Sequence, residues 1–188
     1  MKPLNFWGAV CTALLLCAPL SANQAVEWAP DARENAGLPQ FTRAELYAAM
    51  DQYLAALKAG DPTRVNWAPK VRNTENNVAM MVGDGVWQTI SAMGDYDLRF
   101  VDTKLGQVGL FGVLTETQET SAFALRLKLD EQKQVTEVET LVLRQLNQGI
   151  RFENQKFERQ PAMNEILPPE QRLSRQRMIS IADGYFDT

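Results

Sequence analysis

Between residues 95 and 143 the apolar residues recur at every second position, and that period narrows the possible folds more than any other feature of the chain. Tyr96, Leu98 and Phe100 alternate with Asp95, Asp97 and Arg99, and Phe123, Leu125, Leu127 and Leu129 alternate with Ala124, Arg126 and Lys128. Alternation of this kind sends successive side chains to opposite faces, so each run reads as a strand buried on one side. Gln107 to Thr115 is almost continuously apolar but carries Gly109 and Gly112, which fits a bent strand inside a sheet. Asp130 to Lys133 reads as a turn, and Val135 to Leu143 returns as a strand. Four successive strands joined by short connections predict an antiparallel sheet.

The first half of the chain supplies the helices that cover it. Thr42 and Glu45 have the spacing of a capping box, and Leu46, Met50, Tyr53, Leu54 and Leu57 follow at helical intervals up to Gly60. This predicts a helix over 42–59. Asp61-Pro62 predicts a short helical turn reaching Trp67. Asn76-Asn77 marks a tight turn in a small hairpin over Val71 to Ala79, and Val86 to Met93 reads as a short helix closed by Gly94. Helices packed on one face of an antiparallel sheet make an α+β fold.

The N-terminus reads as an address. Lys2 precedes an apolar run from Phe6 to Leu16, followed by Pro19, Ser21 and Ala22. This layout predicts a signal peptide over residues 1–22, export to the periplasm or beyond, and no stable membrane association once it is cleaved. An irregular lead-in follows over 23–40. Both cysteines, Cys11 and Cys17, fall inside the leader, so the mature chain has no disulfide and no thiol nucleophile. The chain has no histidine, which removes imidazole catalysis and His-ligated zinc. It has no Asp-x-Asp-x-Asp-Gly loop and no Gly-x-Gly-x-x-Gly turn, so neither a metal nor a cofactor is expected. The formal net charge of −4 argues against nucleic acid, whose phosphates call for a basic face.

A second regularity lies at the C-terminus. Residues 147–172 read as a polar, loop-like tail with Pro161, Pro168 and Pro169. Residues 173–186, LSRQRMISIADGYF, then align without a gap on residues 41–54, FTRAELYAAMDQYL. Ser174 falls on Thr42, Arg175 on Arg43, Asp183 on Asp51 and Tyr185 on Tyr53. Helical periodicity explains shared apolar positions but not a shared Arg and Asp-x-Tyr. We therefore expect 173–188 to be a helix that starts a truncated second copy of a domain spanning 41–146.

The string Asp51-Gln52-Tyr53-Leu54-Ala55-Ala56-Leu57-Lys58-Ala59-Gly60-Asp61 resembles the first helix of the nuclear-transport-factor-2-like superfamily, which includes ketosteroid isomerases and SnoaL-like cyclases. Thr74-Glu75-Asn76, Gly83-Asp84-Gly85-Val86-Trp87, Gly106-Gln107-Val108-Gly109 and Arg126-Leu127-Lys128 are similar, in order, to an uncharacterised SnoaL-related domain family of secreted proteins. The resemblance implies a cone: a curved antiparallel sheet with a long first helix and shorter helices closed around a pocket. It also implies catalytic roles. Tyr53 falls on the tyrosine that stabilises a dienolate oxygen, and Glu75 on the carboxylate that shuttles the proton. The position of a second oxyanion donor is taken by Leu125, which cannot donate.

An apolar cone would raise the pKa of a carboxylate and let it act as a base, with a tyrosine hydroxyl beside it for the oxyanion. Trp87, Tyr96, Phe100 and Phe111 are candidates to line a pocket for a flat apolar ligand. Arg126 has two readings: a cross-strand pair with Glu139, or a side chain reaching into the cavity to hold a substrate carboxylate or Glu75. The expectation is an exported, cofactor-free isomerase, lyase or cyclase acting on a small hydrophobic or aromatic substrate. The alternatives are a non-catalytic small-molecule-binding module and a structural or oligomerising domain, with a homodimer formed through the sheet.

Overall fold

A computed structural model describes residues 41–117, 119–144 and 160–186. The expected leader and lead-in lie outside the described residues, as does most of the expected tail. The first helix, α1 (Arg43–Lys58), starts at the expected capping box: the Thr42 side chain accepts from Glu45 N, and the Glu45 carboxylate accepts from Thr42 N at 2.8 Å. A 3₁₀ turn at Pro62–Arg64, capped by Asp61, leads into β1 (Trp67–Glu75). The helical turn therefore stops short of Trp67, which already belongs to the sheet. The Asn76-Asn77 turn, with both residues at positive φ, folds β1 back onto β2 (Val78–Ala79).

The helix expected from Val86 to Met93 is shorter. α2 (Val86–Thr89) lasts one turn, and the chain enters β3 (Ile90–Asp102) with Gly94 inside the strand. Ile90 to Met93 is too short a run for periodicity to separate helix from strand, and pairing with the next strand decides it. β4 (Gln107–Glu116), β5 (Glu119–Leu129) and β6 (Val135–Leu143) complete the expected meander.

These strands form one curved, six-stranded sheet in the order β2-β1-β6-β5-β4-β3. The sheet is mixed rather than wholly antiparallel, because β1 lies parallel to β6 while every other pair is antiparallel. The register shifts between Trp67 and Arg72, around Pro69, whose missing N–H cannot serve a ladder. The α+β class holds.

α1 covers one face. Leu46, Met50, Tyr53, Ala56 and Leu57 are buried against Val108, Leu110, Leu114, Phe123, Leu125, Leu127 and Val138. Each large side chain so removed from water contributes about 1.5–3 kcal/mol. The two glycines of β4 have a steric reason, one from each neighbouring strand: a Cβ at 109 would overlap the Phe100 ring of β3, and one at 112 the Phe123 ring of β5.

The helix expected at the C-terminus is α3 (Arg175–Gly184), with the Ser174 side chain capping Arg177 N. It falls in a separate compact unit from the sheet, and none of its residues is buried.

Candidate functional site

Tyr53 and Glu75, assigned together by resemblance, occupy the same helix-covered side of the sheet. Tyr53 is 1% exposed and packs edge-on against Trp87 at 5.3 Å and Trp67 at 6.1 Å between ring centroids. Burial pushes its phenol well above the ordinary value, although Trp87 and Thr140 lie where they favour the ionised form; the charge of Glu75 adds to the rise. A phenol so held is a neutral donor over the whole physiological range.

Glu75 ends β1 opposite Thr140 and is 8% exposed. Both its oxygens are engaged. Oε2 accepts from Val86 N at 2.7 Å, and Oε1 meets Arg144 Nη2 at 2.7 Å. Gly85 makes this approach possible: it sits at φ +64°, and a Cβ there would overlap Glu75 Oε2.

Arg144, just beyond β6, also binds Glu116 at the end of β4 through Nε at 2.6 Å and Nη2 at 2.7 Å. Thr89 at the end of α2 donates its hydroxyl to the same carboxylate. Burial would push Glu116 up, but the hydrogen bonds from Arg144 and Thr89 outweigh it and hold the carboxyl below its ordinary value. One guanidinium thus ties two nearly buried carboxylates, and with them β1, β4, β6 and α2.

Arg144, Glu116 and Thr89 carry no sequence signal for this role. The only hint is an arginine ending an apolar strand, and nothing local names its partners. The reading that Arg126 holds Glu75 is corrected: Arg144 does so, because Arg126 belongs to the opposite face. There Arg126 Nε meets Glu139 Oε2 at 2.7 Å and Nη2 meets Glu137 Oε2 at 2.8 Å, and Lys128 Nζ reaches Glu137 at 3.0 Å. The plain cross-strand reading of Arg126 and Glu139 is the one observed.

Two cavities are associated with the sheet. A recess of about 430 Å³ opens on the face away from α1, lined by Phe100, Ala124 and Leu141 with Asn77, Arg126 and Glu139 among its polar wall. A second, of about 940 Å³, runs by edge strand β3 between Tyr47, Arg99 and residues 163–172. Of the residues expected to meet substrate, Arg126 lines the recess. Phe111 stands beside it, its ring tilted by 45° to that of Phe100 with 5.3 Å between centroids. Trp87 is a core residue, Tyr96 is half-buried on β3, and neither lines either cavity. Tyr53 and Glu75 line neither as well. Among the described residues no group of three or more acidic, His or Cys side chains is placed to hold a metal.

Similar solved structures include a Methylobium petroleophilum protein of unknown function with a cystatin-like fold, 12% identical over 60% of this chain and 84% of that one, with a TM-score of 0.48. A ketosteroid-isomerase-like protein from Kribbella flavida is 14% identical over 63% and 91% of the two chains, with a TM-score of 0.41. A de novo designed NTF2-fold protein is 14% identical over 55% and 88%, with a TM-score of 0.37. No curated protein matches the chain. The family model for a domain of unknown function, DUF8021, matches residues 39–158. That span takes in α1, the whole sheet and Arg144, and the chain belongs to the DUF8021 family.

Proposed function

We propose that this is an exported, non-catalytic binding module of the nuclear-transport-factor-2-like kind, which holds a small, mostly apolar molecule on the open face of its sheet. One observation carries the reading: the recess over Phe100, Ala124 and Leu141, with Arg126 and Glu139 in its wall. Its volume of about 430 Å³ falls in the range of small-molecule sites, and a few polar groups around apolar walls are what such sites need. Arg126, held by Glu137 and Glu139, fixes the polar wall against which the polar end of the ligand would lie.

The resemblance to isomerases points instead to Tyr53 and Glu75, but their surroundings favour a structural role. An oxyanion hole needs space for the substrate oxygen about 3 Å from its donors, and Tyr53 is closed in by Trp67 and Trp87. A general base must face substrate, whereas Glu75 is 8% exposed, is tied to Val86 N and Arg144, and lines neither cavity.

The probe for the test is 8-anilinonaphthalene-1-sulfonate, an aromatic anion. Ala124→Trp fills the recess and should weaken its binding at least tenfold, while Tyr53→Phe leaves the affinity within twofold. If Ala124→Trp binds as the native protein does, the assignment of the recess fails. If Tyr53→Phe abolishes binding, the ligand enters the covered side and the enzyme reading returns.

A second reading has its own support. Phe100, Phe111 and Leu141, each 48–52% exposed, and Leu143 stand on the same open face, and contiguous apolar surface of this kind commonly pairs with another protein. A homodimer through the sheet would bury it. Sedimentation equilibrium of the native chain and of Leu141→Asp decides this. A dimer abolished by the substitution places the interface here, and a monomer at 100 μM removes it.

A further inference from the structure

Two of the three residues identical between α3 and α1, Asp183 and Tyr185, stand where α1 uses Asp51 and Tyr53 to bind its sheet; the third, Arg175, stands for the exposed Arg43. Phe41, at 5% exposure, leads the chain into α1, and Leu46, Met50 and Tyr53 are at 0–1%. Thr42 caps the helix through Glu45 N, and Asp51 reaches out of α1 to accept from Arg99 Nη1 on edge strand β3 at 2.6 Å. Every one of these positions has a counterpart 132 residues on. Leu173, Met178, Ala182 and Tyr185 stand for the buried set, Ser174 repeats the cap at 3.2 Å, and Asp183 repeats Asp51.

The environments are opposite. Tyr53 is 1% exposed and Tyr185 is 78% exposed; Leu173 and Met178 are both more than half exposed. A helix of ten residues is marginal in water without packing on its apolar side. It therefore needs a cover, and the residues it presents specify which.

We propose that α3 is built to occupy the first-helix seat of a second sheet of this same family. Met178, Ala182 and Tyr185 would enter the apolar face, and Asp183 would pair with an arginine on the edge strand, as Asp51 does with Arg99. The partner is thus another domain of the DUF8021 pattern with its helix seat vacant. A lipid surface would use the apolar side of α3 but has no need of Asp183 or of the Ser174 cap in register with it.

Helix exchange in the full-length chain tests this. In a first chimera residues 41–54 are replaced by the sequence of 173–186. A second carries the same fourteen residues with Met178 and Arg177 interchanged and Tyr185 and Gly184 interchanged. The first should keep a cooperative thermal transition and the near-ultraviolet dichroism of Trp67 and Trp87, with melting lowered by roughly 10–20 °C, and the second should lose both. A third chimera adds Ala182→Met and Arg177→Glu, restoring the bulk of Met50 and the capping carboxylate of Glu45. It separates a cavity from a wrong face. If the first and third both fail to fold, or the second folds as well as the first, the proposal is overturned. It is also overturned if the native chain binds phosphatidylglycerol vesicles and Met178→Asp with Ile181→Asp abolishes that binding.

Discussion

Along β5, Phe123, Leu125, Leu127 and Leu129 turn toward α1 and are at most 3% exposed, while Ala124, Arg126 and Lys128, one step away each time, remain partly open to solvent. The two faces of the sheet share every backbone atom and differ only in what lies on them. On the helix-covered side only the carboxylates are closed off: Glu75 and Glu116 are nearly buried, Val86 N and Thr89 donate to them, and Arg144, itself 39% exposed, reaches in from the rim to pair with both. On the open face Arg126, Lys128, Glu137 and Glu139 form a ladder in contact with water. An ion pair taken out of water must be fully partnered to persist, whereas an exposed one is screened and contributes little. The comparison teaches where to look for function. The enzymatic pair expected from resemblance lies on the closed side, and the accessible chemistry lies on the other.

The largest expected effect comes from breaking the closed side. Arg144→Met leaves two nearly buried carboxylates without their cation; with the guanidinium itself 39% exposed and partly screened, the loss should be about 1–3 kcal/mol of stability, read from urea unfolding. A loss under about 1 kcal/mol would mean that the network is as dispensable as a surface pair.

Acid should act on both sides and salt should tell them apart. Burial pushes Glu116 up, yet Arg144 and Thr89 hold it below its ordinary value of 4.5; hydrogen bonds from Arg126 first of all hold Glu137 and Glu139 below the same value. A carboxyl lowered in the folded state binds fewer protons there than in the unfolded chain. Its contribution is therefore present above about pH 4.5 and is lost as the pH falls through the lowered values. The urea midpoint should be flat from pH 5 to 7 and fall below 4.5. In 1 M salt the part due to the open ladder should shrink, with that of Glu116 persisting. A midpoint unchanged down to pH 3 would contradict the assignment.

Tyr53→Phe, which removes a buried hydroxyl beside Trp87 and Thr140, should cost about 1 kcal/mol and should leave the Trp67 and Trp87 dichroism unchanged. A cost above about 3 kcal/mol would contradict a hydroxyl of ordinary worth. The smallest effect belongs to Arg126→Gln. On the open face it should change stability by less than about 1 kcal/mol and show itself in ligand affinity instead. A loss as large as that of Arg144→Met would erase the distinction between the faces.

Much of this fold was legible in the order of the residues. The capping box at Thr42 and Glu45, the Asn76-Asn77 turn and the alternation through β4, β5 and β6 depend on neighbours a few positions apart, and the structure follows them. Ile90 to Met93, read as the end of a helix, went to the sheet because four residues, three of them apolar, carry no decisive period. The parallel placement of β1 beside β6 was not legible, since no local pattern names a strand sixty residues away. The same holds for the site. Tyr53 and Glu75 were found by resemblance, but Arg144, which decides what Glu75 can do, was not.

By itself, then, the sequence determined which residues face the same way along each element, because side-chain direction follows from the periods of helix and strand. It also determined that no proton chemistry would fall to an imidazole, since there is no histidine. Tertiary structure decided which face α1 would cover and that Arg144 would meet Glu75 and Glu116. The strength and availability of a charge depend on distance and on exclusion of water, and both arise only when β1, β4 and β6 come together.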